Sequence, residues 1–215
     1  MPGACRVAPD DLHAFCREAL TRAGVRADPA RISADALATT DSWGSSPTGR
    51  SCSPATSVGS GAAASGATPT RRSVAEGPAW AIVDGNSALG QVVGIFAMDE
   101  AIARAWRSGI ACIAVWNSNH FGAAGYYATL AARSGLFALA MANDAPGVVS
   151  PSPRAPVTGT DPLAYAIPAG DRDPISLDIA ISMAAGGKVY AARQVGRSPP
   201  TGSSTGRDRR RPTPA

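Results

Sequence analysis

Lysine is almost missing from this chain. Of its twenty basic residues only Lys188 is a lysine, so the net charge of +4 is carried by arginine. With abundant alanine, glycine and proline, this is what a gene of high G+C content encodes. Part of the arginine lies in a tail, Arg207 to Arg211. Such a run can meet phosphate backbones, but no aromatic side chain is interleaved with it for stacking, and a nucleic-acid partner is not expected. Long apolar runs are missing too. No stretch of about eighteen uninterrupted apolar residues exists, so no membrane span is expected, and no basic region precedes a long apolar core as in a secretion signal. The four cysteines, Cys5, Cys16, Cys52 and Cys112, have neither metal-ligand spacing nor disulfide density. They point to a reducing cytoplasm, with Cys16 and Cys112 packed, and no metal is expected. No G-x-G-x-x-G follows a strand, which argues against a Rossmann domain. The length allows one medium domain or two small ones.

What is present begins as helix. Leu12, Phe15, Cys16, Ala19 and Leu20 recur at helical spacing, Asp10 and Asp11 suit the positive helix end, and Gly24 stands where a left-handed cap is needed. His13 lies off that stripe and is expected in solvent. Asp28 offers an N-cap to a second helix with Pro29 at its first position, and Ile32, Ala36, Leu37 and Thr40 form an inner face to about Trp43. The stretch Ser45 to Thr70 is different in kind: it has no histidine, acid or aromatic, and Val58 is its only aliphatic residue larger than alanine. It cannot bury enough apolar surface to offset the entropy of ordering it. Ala79 to Asp84 then reads as a strand ending in the turn Asp84-Gly85-Asn86. A helix from about Val93 to Arg107 follows, with Phe96, Ile102 and Ala103 turned inward and Gly109 closing it. Later, Leu163–Ile167 and Ile175–Ile179 are short strands divided by the polar turn Gly170 to Pro174.

The densest functional signal is Asn117-Ser118-Asn119-His120-Phe121-Gly122. Before it, Ala111 to Trp116 has the composition of a buried strand. After it, Gly122 to Gly125 supplies small residues at a helix start, Tyr126 to Arg133 continues the helix, Gly135 stops it, and Leu136 to Ala142 is a second apolar strand. The pattern predicts a strand, a turn holding His120, a helix and a strand, with the two strands parallel. A histidine so placed can equally be one that caps a helix or satisfies a buried turn.

The ordered strings A-L-A-T-T-D-S-W-G (from Ala36), V-D-G-N-S-A-L-G-Q (from Val83), N-S-N-H-F-G-A-A-G-Y-Y, A-M-A-N-D-A-P, G-T-D-P-L-A-Y-A-I-P (from Gly159), D-I-A-I-S (from Asp178) and Gly187-Lys188 closely resemble the type-2 malate/L-lactate dehydrogenase family. That family includes ureidoglycolate dehydrogenases, diketogulonate reductases and piperideine-2-carboxylate reductases. The resemblance implies an α/β chain with a non-Rossmann NAD(P)-binding fold, an N-terminal helical region, and an incomplete C-terminal part. It implies hydride transfer between NAD or NADP and a small 2-oxo or 2-hydroxy acid, or a cyclic imino acid, by a cytoplasmic homodimer. His120, Phe121, Gly122, Ala123 and Ala124 would contact the nucleotide, and His120 would serve as a proton acceptor. Thr160, Asp161 and Pro162 would contact cofactor, with Thr160 also at the substrate. Asp178 would orient a catalytic histidine. Where Asp161 stands the family usually has asparagine, so an acceptor-only carboxylate replaces an amide.

The histidine that Asp178 would orient belongs to a S/T-H-G motif shortly after the segment matching Thr39 to Gly44, and this chain lacks it. Read from one base earlier, codons for Ser45 onward can spell T-H-G with a family-like continuation, and the codons from Pro200 behave likewise. A slipped or degraded frame, with C-terminal truncation, is the expected origin of both departures. The expected organisation is a helical region 1–44, an aberrant disordered segment 45–73, a partial nucleotide-binding α/β domain 74–197 and a disordered basic tail 198–215. Three functions follow: the family enzyme with impaired activity, a non-catalytic remnant that binds nucleotide or a related subunit, and an interaction protein using its basic tail.

Overall fold

The computed structural model describes residues 7–44, 73–149 and 156–182. The expectations for the aberrant segment, the basic tail, Cys5, Cys52 and Gly187-Lys188 lie outside these residues. Helix α1 (Pro9–Arg22) carries Pro9 at its start and Asp10 and Asp11 in its first turn, and Gly24 just beyond it takes φ 89°. Its buried stripe runs through Cys16 and Leu20, while Phe15, expected inside, is 65% exposed. One position of helical rotation separates Phe15 from that stripe, a distinction that periodicity leaves open.

Helix α2 (Ala27–Ser42) starts before the expected cap. Arg26 occupies the N-cap with extended backbone and no side-chain cap bond, so Asp28 lies within the first turn, where its charge still suits the helix dipole. Ala30, Ala34, Ala36, Leu37 and Thr40 are buried on α2, and Leu20, Val25 and Ala30 join Leu89 and Val92 in one apolar cluster.

Strand β1 (Ser73–Gly77) has no counterpart among the expected elements. It runs antiparallel to β2 (Trp80–Asp84), which pairs in parallel with β3 (Cys112–Trp116). The crossover between β2 and β3 is helix α3 (Gly90–Ser108), closed by Gly109 at φ 81°. Arg104 of α3 is tied to Glu76 (2.5 Å) and to the Gly77 carbonyl (2.7 Å). The inward side of α3 is its first half, Gln91, Val92, Val93 and Ala97, and Ala103 is exposed. β3 is also mostly exposed, and among the described residues it pairs on one side only, at the edge of its sheet. Composition cannot tell an apolar edge strand from a central one. Cys112 on β3 is accordingly exposed, against expectation, whereas Cys16 is buried and burial pushes its thiol pKa up.

Helix α4 (Ala124–Arg133) ends before Gly135, at φ 81°, and leads to β4 (Ala138–Met141). β3 and β4 do not form the expected parallel pair. They lie in separate sheets, and β4 runs antiparallel to β7 (Pro162–Ala169), itself paired with β8 (Arg172–Ala180). The inner face of this second sheet presents Ala140, Ala164 and Ala166 to Tyr126, Tyr127, Ala128 and Ala132. Alanine on both sides lets α4 lie close to the sheet. A short ribbon, β5 (Val148–Val149) with β6 (Pro156–Thr158), stands apart. No helix among the described residues is long and apolar enough to cross a membrane.

Candidate active site

The loop carrying His120 is built on the turn after β2. Asn117, at φ 51°, donates to Asp84 Oδ1 (2.9 Å) and accepts from the Ser87 hydroxyl (2.8 Å). Asn119 donates to the carbonyls of Ser87 (2.8 Å) and Ala88 (3.0 Å). The string V-D-G-N-S-A-L-G-Q therefore underlies N-S-N-H. Two of its glycines permit the contact: a Cβ on Gly85 would stand 2.7 Å from the Asn117 carbonyl, and one on Gly90 would overlap the Asn119 carbonyl and come within 2.5 Å of that of His120.

His120 is exposed as a residue, yet burial of its ring draws the imidazole pKa below its usual value while the Asp144 carboxylate pulls it up. The net direction is downward, so the ring is mainly neutral near pH 7. Beyond it, Phe121 stacks on Tyr127 with centroids 4.9 Å apart, and the Tyr127 hydroxyl donates to the Phe121 carbonyl. Gly122 takes φ 87°, and Ala123 and Ala124 are buried as α4 begins.

Asp178 reaches that helix start from β8. It pairs across the hairpin with Ala164 on the alanine face, and its Oδ2 accepts from the Gly125 amide at 2.9 Å. A Cβ on Gly125 would stand 2.9 Å from the Asp178 Cβ. Burial of the carboxyl raises its pKa, opposed by that hydrogen bond. The residue as a whole is exposed, so the rise is limited by solvent.

Thr160, Asp161 and Pro162 meet a residue that the sequence reading left inside a longer string. The Thr160 hydroxyl donates to Asp144 Oδ2, and the Asp144 amide donates to Asp161 Oδ1, both at 2.9 Å. Asp161 has φ 40°, and a Cβ on Gly159 would come within 2.6 Å of its Oδ1. The contact asks Asp161 only to accept, so the carboxylate serves where an amide oxygen would. Pro162 opens β7. The fold thus joins His120 electrostatically to Asp144, Asp144 to Thr160 and Asp161, and Asp178 to the residue after Ala124. His13, half-buried on α1, makes no contact with this group that the structure records. Among the described residues no three of His, Cys, Asp and Glu could hold a metal ion. Gln91 was also unforeseen. It is 1% exposed, and neither polar atom of its amide has a hydrogen-bond partner.

A model of the malate/L-lactate dehydrogenase family matches residues 7–213. The chain belongs to that family. It is 36% identical over 203 residues to a malate dehydrogenase of Pyrococcus horikoshii, covering 94% of this chain and 56% of that protein. An L-sulfolactate dehydrogenase of Methanothermobacter thermautotrophicus is 39% identical over 120 residues, covering 56% of this chain and 35% of its own. The crystal structure of malate dehydrogenase from Entamoeba histolytica superposes with a TM-score of 0.83 at 29% identity, over 90% of this chain and 54% of that one. The fold is mixed α/β like that of these malate/L-lactate dehydrogenase relatives, and the chain spans about half their length.

Proposed function

We propose that this site binds a nicotinamide dinucleotide, NAD or NADP, and belongs to an oxidoreductase exchanging hydride between that cofactor and a small 2-hydroxy or 2-oxo acid, or a cyclic imino acid. The observation that carries the reading is the Asp178–Gly125 contact, which fixes β8 against the helix start that follows His120–Ala124. The reading is supported by Gly122, which puts no side chain on the loop after His120, and by the buried Gln91 amide close to it, which has no hydrogen-bond partner. His120, Phe121, Gly122, Ala123, Ala124, Thr160, Asp161 and Pro162 would hold it, with Thr160 shared by the acid. Bound, the nicotinamide supplies or accepts the hydride. His120, neutral near pH 7, can take the proton that leaves an alcohol.

A second reading is specifically favoured by Asp178. Its hydrogen bond goes to a backbone amide rather than to an imidazole, and the chain has only two histidines, His13 and His120. General acid catalysis is worth about a hundred- to ten-thousand-fold, so turnover without that partner falls towards background while nucleotide binding remains. The intact reading includes a cytoplasmic homodimer. Nucleotide titration with NADH and NADPH, beside reduction of pyruvate and oxaloacetate followed at the nicotinamide absorbance, tests both. Binding with near-background turnover is expected. A rate on the order of ten per second would assign the proton transfer to His120, and failure to bind either dinucleotide overturns the proposal.

A further inference from the structure

His120 stands on a loop whose two sides are held differently. On the upstream side Asn119 donates to the carbonyls of Ser87 and Ala88, so the loop is tied to the turn after β2. On the downstream side the holder is one side chain, Tyr127 of α4. Its ring lies at 4° to that of Phe121 with centroids 4.9 Å apart, and its hydroxyl donates to the Phe121 carbonyl. Tyr127 is itself fixed. It is 2% exposed, Tyr126 packs edge-on against it at 5.4 Å, and α3 leaves room for its ring at Gly94, where a Cβ would stand 2.6 Å from Cε1 and 2.9 Å from Cζ. Burial raises the phenol pKa well above its usual value of 10.0, so the hydroxyl stays a donor across the range in which His120 titrates.

Packing alone does not require that hydroxyl. Phenylalanine would make the same ring stack and fill the same space, with no polar atom to satisfy. What the hydroxyl adds is the direction of one peptide group. The Phe121–Gly122 peptide is trans, and in a planar trans peptide the C=O and N–H point opposite ways. With the Phe121 carbonyl turned to the buried phenol, the Gly122 N–H is turned away from it. Gly122 then takes φ 87°, which a glycine adopts without strain, and it puts no side chain beside that amide. We infer that Tyr127 is a positioning residue for the dinucleotide: through the Phe121 carbonyl it aims the Gly122 amide, and with it the downstream end of the His120 loop, at the bound cofactor. The inference rests on the nicotinamide reading above. The role is exerted through Phe121, not by contact with the cofactor.

The test compares Tyr127→Phe with Tyr126→Phe in the full chain. Each change removes one phenol hydroxyl from the same helix and keeps the ring, but Tyr126 donates to Asp35 Oδ2 of α2 (2.6 Å) rather than to the loop. NADH and NADPH are titrated by fluorescence, thermal melting reports the fold, and amide NMR follows Gly122 as NADH is added. Tyr127→Phe is expected to fold and to bind the dinucleotides about tenfold more weakly than the wild type, the worth of about one net hydrogen bond. At saturation its Gly122 amide resonance should move much less than that of the wild type. Tyr126→Phe should keep the wild-type affinity within about twofold and the wild-type response of Gly122. Equal losses in the two variants, an unchanged affinity or an unchanged Gly122 response in Tyr127→Phe, or a Tyr127→Phe chain that does not fold overturns the inference alone. A wild-type chain that binds neither dinucleotide overturns the nicotinamide reading and this inference together.

Discussion

Helices α3 and α4 both begin against an element from elsewhere in the chain, and both do so through a glycine, but the intruder differs. At Gly90 it is main chain, the carbonyls of Asn119 and His120. At Gly125 it is a side chain, the carboxylate of Asp178, which also accepts that residue's amide hydrogen. Main chain held by the Asn117 and Asn119 bonds cannot move aside; at Gly125 the nearest atom is the Asp178 Cβ, which the β8 backbone holds, and only the carboxylate beyond it can rotate. The first start is a structural clamp that fixes where His120 stands. The second is a side-chain contact closed by one hydrogen bond from a helix-start amide.

The comparison breaks first at Gly90. Gly90→Ala forces a methyl group into two carbonyls, and overpacking against immobile backbone costs about 3 kcal/mol or more. Denaturant unfolding should show that loss, together with weaker nucleotide binding. Gly125→Ala meets Asp178 at 2.9 Å and should cost less, ~1–3 kcal/mol. In that background Asp178→Gly, which removes the Cβ in contact, should recover part of the loss, whereas alone it should destabilise. Additive effects in that double-mutant cycle would mean the two residues do not share one contact.

A third experiment isolates the charge. The raised pKa of Asp178 means that the folded chain holds this proton more readily than the unfolded chain, whose value is 3.8. The stability it contributes is present below 3.8 and is lost as pH rises through the folded value. Asp178→Asn keeps the acceptor for Gly125 and should flatten that decline, seen as a smaller loss of melting temperature between acid and neutral pH. The smallest effect concerns the His120 loop. Its imidazole should titrate below 6.5 by NMR, and Asp144→Asn should move it further down, because the carboxylate is what raises it. The sign for stability is opposite to that of Asp178: the folded chain binds this proton less readily, so stability falls as pH drops below 6.5 towards the folded value. An Asp144→Asn shift upward would show that Asp144 does not face the ring.

Legibility followed the range of the interaction. Gly24, Gly109 and Gly135 could be assigned as helix stops because a left-handed residue after a helix is a local requirement, and all three have positive φ. The turn at Asp84-Gly85-Asn86 and the one beginning at Gly170 were readable for the same reason, although β8 starts at Arg172, inside the expected turn Gly170 to Pro174. Phe15, Ala103 and the exposure of β3 were not, since which side of an apolar element is covered depends on what arrives from elsewhere. The His120 string was visible as a motif, but not that Gly85 and Gly90 leave room for it, nor that Asp144 links it to Thr160 and Asp161.

The sequence by itself determined the family, the helix ends and the residue types available for chemistry, among them the scarcity of histidine, because these depend on local backbone preference and on the order of motifs. Only the tertiary structure decided that β3 and β4 part into different sheets, that Asp178 closes on Gly125, and that Gln91 is buried without a partner. Each of these is set by close packing between segments distant in the chain, where an alanine or a glycine at the contact determines whether two elements can meet.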